Sequence, residues 1–353
     1  MQARPAKILI FYPSLTTFIA KDLDIYRRSF RVAGHRFDAK HKALTFFRFI
    51  PQFFFLLFHI WGAKLIICEF SGYHSFLPGL FGRIFGKRVQ IISAGTDCVS
   101  FPSFGYGNFS RQPMGYFTAM SFRLSHHIAP VHASLMYRKD TYYEGDQPEQ
   151  GITHFVKGLK RPFTTIPYGF DPDKWKPSGE RKPNSFITVA YIIDKRRFIL
   201  KGIDLIFKVA PHYPDATFTV VGYAYEQEEE VPENVILVPP TPNEEILALY
   251  QQHEFYLQLS ISEGHPNAIC EAMMCGCIPI GSDVTALPDI VGDSGFILKE
   301  RDEELCKEVV GKALKSKKNM RSQRARERIQ KRYHISRRTR ELTQLANNLI
   351  RGK

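Results

Sequence analysis

Short apolar runs alternate along the chain with longer stretches in which apolar residues recur at helical spacing. Residues 7–12 (KILIFY), 64–70 (KLIICEF), 88–93 (RVQIIS) and 127–131 (HIAPV) read as buried strands, and a helix is expected over about 19–32. The intervals leave room for crossover helices, which predicts βαβ units and a parallel sheet. Residues 167–184 (PYGFDPDKWKPSGERKPN) are rich in proline, glycine and charge and read as a linker. The pattern then restarts. Strands are expected at 185–193, 216–222, 235–238, 255–260, 277–281 and 295–298. Helices are expected at 202–210, 243–252 (with Asn243 as N-cap), 266–275 and from about Asp302. The tail reads as two helices, the last with Ile335, Leu342, Leu345 and Leu349 on one face. The expected fold is α/β: a Rossmann-like doubly wound domain over 1–166, a linker over 167–184, a second such domain over 185–330, and a terminal helical segment over 331–353. Ligands of such sheets bind outside the carboxyl ends of the strands.

The composition narrows the function classes. With 353 residues, 44% of them hydrophobic, the chain has apolar surface for two cores and is no disordered protein. Six scattered cysteines, Cys68, Cys98, Cys270, Cys275, Cys277 and Cys306, form no disulfide framework and suggest a reducing, cytoplasmic compartment. The C-x4-C-x-C spacing of Cys270, Cys275 and Cys277 lacks a metal-binding knuckle, so burial is expected instead. No secretory apolar region follows the first methionine. Residues 46–67 carry Phe53 to Phe58, interrupted by Arg48, Pro51, Gln52, His59 and Lys64; this suits a buried or interfacial helix better than a span.

The net charge of +13 is unevenly divided. Residues 1–165 hold 21 basic and 9 acidic residues, 166–311 hold 12 and 24, and 312–353 hold 15 and 2, so the segments carry +12, −12 and +13. The mixture of basic and aromatic residues in the first segment suits an anionic membrane surface, where each nearby Lys or Arg contributes about 1 kcal/mol. The alternative is a core helix beside a solvated basic face. No nucleic-acid recognition motif is present, so nucleic acid is not an expected partner.

The chemistry concentrates in 260–290 (SISEGHPNAICEAMMCGCIPIGSDVTALPDI). A strand ends at Ser260 and a helix begins near Pro266, whose amides and dipole suit a diphosphate. Gly264 permits close backbone approach. Glu263 precedes the helix and Glu271 lies inside it, a spacing that places two carboxylates on related faces of one pocket, where they can accept hydrogen bonds from sugar hydroxyls. The alternative is a strand–loop–helix with solvated glutamates.

The segment resembles the nucleotide-sugar signature of GT-B glycosyltransferases of family 4, through Ser260, Glu263, Gly264 and Pro266, then Glu271, Ala272, Met273, Gly276 and Pro279, then Asp283, Leu287 and Pro288. The resemblance implies that Glu263 meets the donor sugar, that the backbone of Gly264, His265, Pro266, Asn267 and Ala268 holds the phosphates, and that Glu271 binds the ribose. Lys201-Gly202-Ile203-Asp204 resembles the family's phosphate-binding lysine turn, and Val220-Val221-Gly222 the strand end near the base. Residues 166–171 resemble its inter-domain segment, and Gly95-Thr96-Asp97 an N-terminal element on the acceptor side. The chain departs from the family in three places. Ala190-Tyr191 stands where a Gly-Arg pair is usual, so Arg196 or Arg197 is expected to join Lys201 against the diphosphate, unless both belong to a solvated loop. Ala94 stands where a histidine is usual, and His74 is either its substitute or structural. The first loop is not glycine-rich; Thr16 and Thr17 lie there, near phosphate or acceptor. The implied function is retaining transfer from a nucleotide-diphospho-sugar to a hydroxyl of a glycan or lipid-linked acceptor, in envelope or polysaccharide synthesis. The enzyme is expected on the cytoplasmic membrane face, with its last helix crossing back to the N-terminal domain. No Asp-x-Asp pair occurs, and no metal or cofactor is expected. The alternatives are a nucleotide-sugar-binding protein without transfer activity and a basic nucleic-acid-binding protein.

Overall fold

A computed structural model describes residues 5–38, 45–226 and 230–352; the start of the chain, where no secretory segment is expected, lies outside them at residues 1–4. The chain forms two compact units. One comprises the residues up to Lys139, Glu149–Tyr168 and those from Ser336 onward; the other comprises Asp140–Pro148 and Gly169–Ile335.

The first unit is built on five parallel strands, β1 (Lys7–Tyr12), β2 (Arg31–Arg36), β3 (Ala63–Glu69), β4 (Arg88–Ser93) and β5 (His127–Pro130), in the order β2-β1-β3-β4-β5. A short antiparallel ladder joins β6 (Arg138–Lys139) to β7 (Glu149–Gln150). The helices are α1 (Thr17–Arg27), α2 (Phe49–His59), α3 (Tyr73–Ile84), α4 (Met114–Leu124) and α5 (Ile152–Phe155). Ile8 to Phe11 and Leu65 to Cys68 have no exposed surface. Such strands are covered on both faces, which is why they read as unbroken apolar runs. The helix expected over 19–32 is shorter: α1 ends at Arg27, and Arg31 already belongs to β2. That strand (RVAGHR) was not anticipated, because it lies at the sheet edge, is buried at no position and carries no apolar run.

The second unit holds β8 (Ser185–Ile192), β9 (Thr217–Tyr223), β10 (Val235–Val238), β11 (Phe255–Gln258), β12 (Ile278–Ser282) and β13 (Phe296–Leu298), all parallel, in the order β10-β9-β8-β11-β12-β13. Around them lie α6 (Lys195–Leu200), α7 (Ile203–Val209), α8 (Asn243–Gln252), α9 (Asn267–Met274), α10 (Leu287–Val291), α11 (Glu303–Leu314) and α12 (Lys318–Arg332). At the sheet centre Phe186 stacks between Phe218 and Phe255, with both centroids at 4.7 Å. Asp302 caps α11 by accepting from the Leu305 amide at 2.9 Å. Asn243 is not the cap of α8: Pro242 takes that place with extended backbone, and Asn243 lies in the first turn. The proline-rich segment 167–184 is irregular but anchored, with Trp175 buried against Tyr250 and Arg181 donating to the Gly276 carbonyl at 2.7 Å.

The terminal helix α13 (Ile335–Ile350) buries Leu342, Leu345, Ala346 and Leu349. It also buries Arg338, which pairs with Asp22, donates to the carbonyls of Ile166 (2.9 Å) and Pro167 (3.0 Å), and lies over the Tyr168 ring. All six cysteines are buried and free. Among the described residues no helix is long and apolar enough to cross a membrane, and no cluster of three or more His, Cys, Asp or Glu could hold a metal ion.

Candidate functional site

In the second unit the carboxyl ends of β8 and β11 bring two motifs together that are about sixty residues apart in sequence. Lys201 closes α6, and Gly202 turns the chain into α7 with φ +72°. The turn admits only glycine, since a Cβ there would meet the Leu259 carbonyl oxygen at 2.3 Å. The Ile261 amide donates to the Leu200 carbonyl at 2.9 Å, which ties the same turn to the loop after β11. Lys201 Nζ consequently donates to Glu263 Oε1 at 2.6 Å, both side chains being largely buried.

Beneath this pair lies a polar chain that the sequence did not signal. Gln258 Nε2 donates to Glu263 Oε1 (3.0 Å) and to Ser260 Oγ (2.8 Å). The Tyr256 hydroxyl donates to Gln258 Oε1 at 3.2 Å and accepts from the Val189 amide at 3.3 Å. Ser282 Oγ holds the Ser260 carbonyl at 2.6 Å. Gln258 and Tyr256 lie on a strand that reads simply as apolar, so their only trace in the sequence is one glutamine in a buried run. Lys201 and Gln258 thus hold the Glu263 carboxylate through the same oxygen, Oε1.

The loop after Glu263 enters α9. Gly264, His265 and Pro266 are buried, while Asn267 and Ala268 are half-buried at the first turn. The helix begins one residue later than expected: Pro266 precedes it with ψ 126°, in extended conformation. His265 packs its ring against Phe170 and Tyr333. Glu271 is half-buried; with Glu263 it raises the Tyr256 phenol pKa, behind the larger effect of burial. Gly222, at φ +94°, packs against the Ala190 carbonyl, where a Cβ would approach to 2.3 Å. Asp204, from the lysine turn, is paired with Arg301.

The two arginines named beside Lys201 lie on a helix. Residues 195–200 form α6, which the Asp194 carboxylate caps by accepting from the Arg197 amide at 2.7 Å, so the alternative of a solvated loop at Asp194 to Arg197 does not hold. Arg196 is exposed and lies 3.5 Å from Asp194. Arg197 donates to the Tyr191 carbonyl and sits over that ring. Both stand within two turns of Lys201 on the same helix. The cysteines in this region are packing groups: burial pushes the Cys277 thiol up to about 12, and Cys277 Sγ lies 3.1 Å from the Tyr250 carbonyl.

The first unit has a cavity of about 440 Å³ at the carboxyl ends of β1, β3 and β4, lined among others by Ser14, Thr16, Phe70, Tyr73, His74 and Thr96. Thr16 Oγ1 is buried there without a hydrogen-bond partner among the described residues, and Phe70 adopts a left-handed φ of 67°. Thr17, the next residue, is exposed at the start of α1. His74 lines the cavity while its Nε2 contacts the Glu69 carbonyl at 2.6 Å; burial holds its pKa down to about 4. Asp97 is fully buried, and its carboxylate accepts from the amides of Ser71, Ala94 and Gly95. It shapes the wall, and Thr96 rather than Asp97 faces the space.

Residues 176–332 match the family model of the glycosyl transferases group 1. The match covers 157 of the 353 residues and most of the second unit, which is thus similar to the glycosyl transferases group 1. One component of the phosphatidylinositol N-acetylglucosaminyltransferase of Arabidopsis thaliana is 25% identical over 161 residues, which is 42% of this chain and 36% of that protein. The serotype-specific mannosyltransferase WbdA of Escherichia coli is 22% identical over 183 residues, 48% of this chain and 22% of that protein. The chain thus spans about a third or less of the length of these relatives. Among solved structures, a sucrose-phosphate synthase from Thermosynechococcus elongatus superposes with a TM-score of 0.72 at 12% identity, covering 99% of this chain and all of the other. Anabaena HepE in complex with UDP gives 0.71 at 13% identity, covering 97% and 100%. At such identities the likeness shows the fold, which is GT-B. The Lys201–Glu263 pair and the start of α9 both fall within the matched residues 176–332.

Proposed function

We propose that the chain is a retaining glycosyltransferase that moves a sugar from a nucleoside-diphospho-sugar to a hydroxyl of a glycan or lipid-linked acceptor. The carrying observation is the Lys201–Glu263 contact at the mouth of α9, within the matched residues 176–332. It puts a cation, a carboxylate and the amides of a helix start in one place, which a diphosphate attached to a polyol requires. The relatives named above, an N-acetylglucosaminyltransferase component and a mannosyltransferase, and a neighbour solved with UDP, support the same class.

In this reading the phosphates lie on the backbone of Gly264 to Ala268, Glu271 takes the ribose and the base lies near Gly222. Lys201, with Arg196 or Arg197 after a change of rotamer, neutralises the leaving diphosphate, and no metal or cofactor is assigned a part. The bond from the anomeric carbon to the phosphate oxygen breaks as the acceptor oxygen bonds on the same face. The acceptor proton passes to the departing phosphate oxygen. Glu263, held by Gln258, orients the sugar through its hydroxyls, so the protein contributes position and charge rather than a nucleophile. The acceptor enters the cavity of the first unit, where the Thr16 hydroxyl has no partner among the described residues and His74, neutral at pH 7, lines the wall. Synthesis of envelope or other polysaccharide is the setting that fits such an acceptor.

The test is a panel of nucleoside diphosphates scored by thermal shift, followed by the matching sugar donors scored by slow hydrolysis. One diphosphate should raise the Tm, and its sugar conjugate should be hydrolysed. Binding without turnover under any acceptor would instead support a nucleotide-sugar-binding protein, for which Ala94 in place of the usual histidine is the motivating feature. No shift with any diphosphate would overturn both.

A further inference from the structure

The first unit exposes a helix that water should not tolerate. In α2 the residues Ile50, Phe53, Phe54, Leu57 and Phe58, followed by Trp61, recur at helical spacing along the outward side. Phe58 is 75% exposed and Trp61 71%. The opposite side, Gln52, Leu56 and Ile60, is fully buried, so the helix is already seated on its own core and has no second apolar face to hide. A helix that is apolar all round is normally buried or in lipid. Its eleven residues extend only about 16 Å, half of a bilayer core, so it lies along a surface and does not cross.

Charge identifies the surface. Between Asp38 and Asp97 the sequence has seven basic residues and one acidic residue, Glu69, which is buried. Arg48, Lys64, Arg83 and Arg88 are exposed and form no ion pair among the described residues. The apolar ridge and the cations are continuous: Trp61 packs edge-on against Phe85 at 5.1 Å, between Arg83 and Lys87 in sequence. Beyond it, Arg83 holds the carbonyls of Leu124 and Ser125, and Arg161 holds that of Arg123 at 2.7 Å. Arg83, Arg88 and Arg161 all crowd His126, whose imidazole is depressed first by burial and then by these three cations. A second copy of this chain would set like charge against like, and a protein partner would need an acidic, aromatic-binding groove. Anionic lipid headgroups over acyl chains satisfy both halves of the patch at once.

We propose that α2, with Phe47, Trp61 and Ile84 at its margins, is an in-plane anchor that docks the first unit on an anionic phospholipid surface, with Arg48, Lys64, Arg83, Lys87 and Arg88 meeting the headgroup phosphates. This goes beyond the transfer reaction and stands whether or not a donor is turned over.

The sequence supplies its own reporter, because the two tryptophans differ: Trp61 is exposed and Trp175 is 2% exposed. The full chain is mixed with vesicles of phosphatidylcholine alone, or with about one third phosphatidylglycerol. Co-sedimentation with the anionic vesicles only is expected, with a blue shift of tryptophan emission that Trp61→Phe abolishes while binding persists. Phe54→Ser/Phe58→Ser, at exposed positions that carry no fold, should lower partitioning about tenfold or more, as should Lys64→Gln/Lys87→Gln/Arg88→Gln. Equal binding to both vesicle types, or an unchanged emission spectrum on binding, would overturn the proposal. A concentration-dependent dimer dispersed by Phe54→Ser/Phe58→Ser would also overturn it and assign the face to a second copy.

Discussion

Replacing Lys201 by methionine separates a structural ion pair from a group that acts on the leaving diphosphate. The ammonium lies 2.6 Å from Glu263 Oε1, with side chains 26% and 12% exposed. Water reaches the pair in part, so the pairing itself contributes about 1 kcal/mol or less to stability. After substitution the Glu263 carboxylate still has Gln258 Nε2 at 3.0 Å and residual water, and the Tm should fall by no more than about 4 °C. The effect on turnover should be far larger. Removing one donor from a developing phosphate charge costs about 3–4 kcal/mol, so kcat should fall on the order of 10²- to 10³-fold. The companion Glu263→Gln behaves differently, since the carboxylate competes with a diphosphate for the same ammonium. It should lose turnover, because the sugar is no longer oriented, yet bind the nucleoside diphosphate as tightly as wild type or more so. The assays are steady-state donor hydrolysis and calorimetric titration of the diphosphate that raises the Tm. If Lys201→Met keeps kcat within about threefold of wild type, or Glu263→Gln weakens diphosphate binding, the site is misplaced.

Gly202→Ala should destabilise the second unit by more than about 1 kcal/mol and displace Lys201, because the left-handed turn sets a Cβ 2.3 Å from the Leu259 carbonyl oxygen; urea unfolding and donor hydrolysis should decline together, and an unchanged midpoint would refute the packing argument. His74 titrates at about 4 when folded, below its ordinary value of about 6.5, so its contribution to stability is complete above pH 6.5 and declines as pH falls toward 4, where the unfolded chain accepts a proton that the folded one excludes. That window is worth on the order of 3 kcal/mol, and His74→Asn should flatten the corresponding part of the pH–stability curve; an identical slope in both proteins would contradict it. Arg338→Met should cost about 3–5 kcal/mol in chemical denaturation, since it strands the Asp22 carboxylate with Glu69 nearby, whereas the paired change Arg338→Met/Asp22→Leu should recover much of that loss; a double variant no better than the single one would count against the ion-pair account.

What could be read in the sequence follows from where the physics is local. Buried parallel strands such as Ile8 to Phe11 announce themselves because both faces need apolar side chains, and the Glu263–Glu271 segment does so because its strand end, glycine and helix start occupy consecutive positions. The edge strand Arg31–Arg36 was missed for the converse reason: half its surface faces water, and its residues carry no apolar signal. The Arg338–Asp22 pair spans 316 positions, and no local pattern can reveal it. An arginine on an amphipathic helix reads as solvated until its carbonyl partners at Ile166 and Pro167 are known. The same holds for Gln258, whose role depends on Glu263 folding back over it. For Arg196 and Arg197 the sequence left a solvated Asp-Lys-Arg-Arg loop open as the alternative, and the helix over 195–200 was not read from it, because its start depends on the Asp194 carboxylate accepting from the Arg197 amide. The phenylalanine-rich segment shows the limit most clearly. Hydropathy measures how much apolar surface a helix has and says nothing of which way it faces, so 46–67 was equally compatible with the core and with an interface. Direction came from two independent facts: the buried row of Gln52, Leu56 and Ile60, which uses up the inner face, and the absence of any exposed acid between Asp38 and Asp97 among the described residues. Packing alone would leave the outer row as a defect, and charge alone would leave the basic residues as ordinary solvated surface. Together they are the two observations on which the proposed docking to an anionic lipid surface rests.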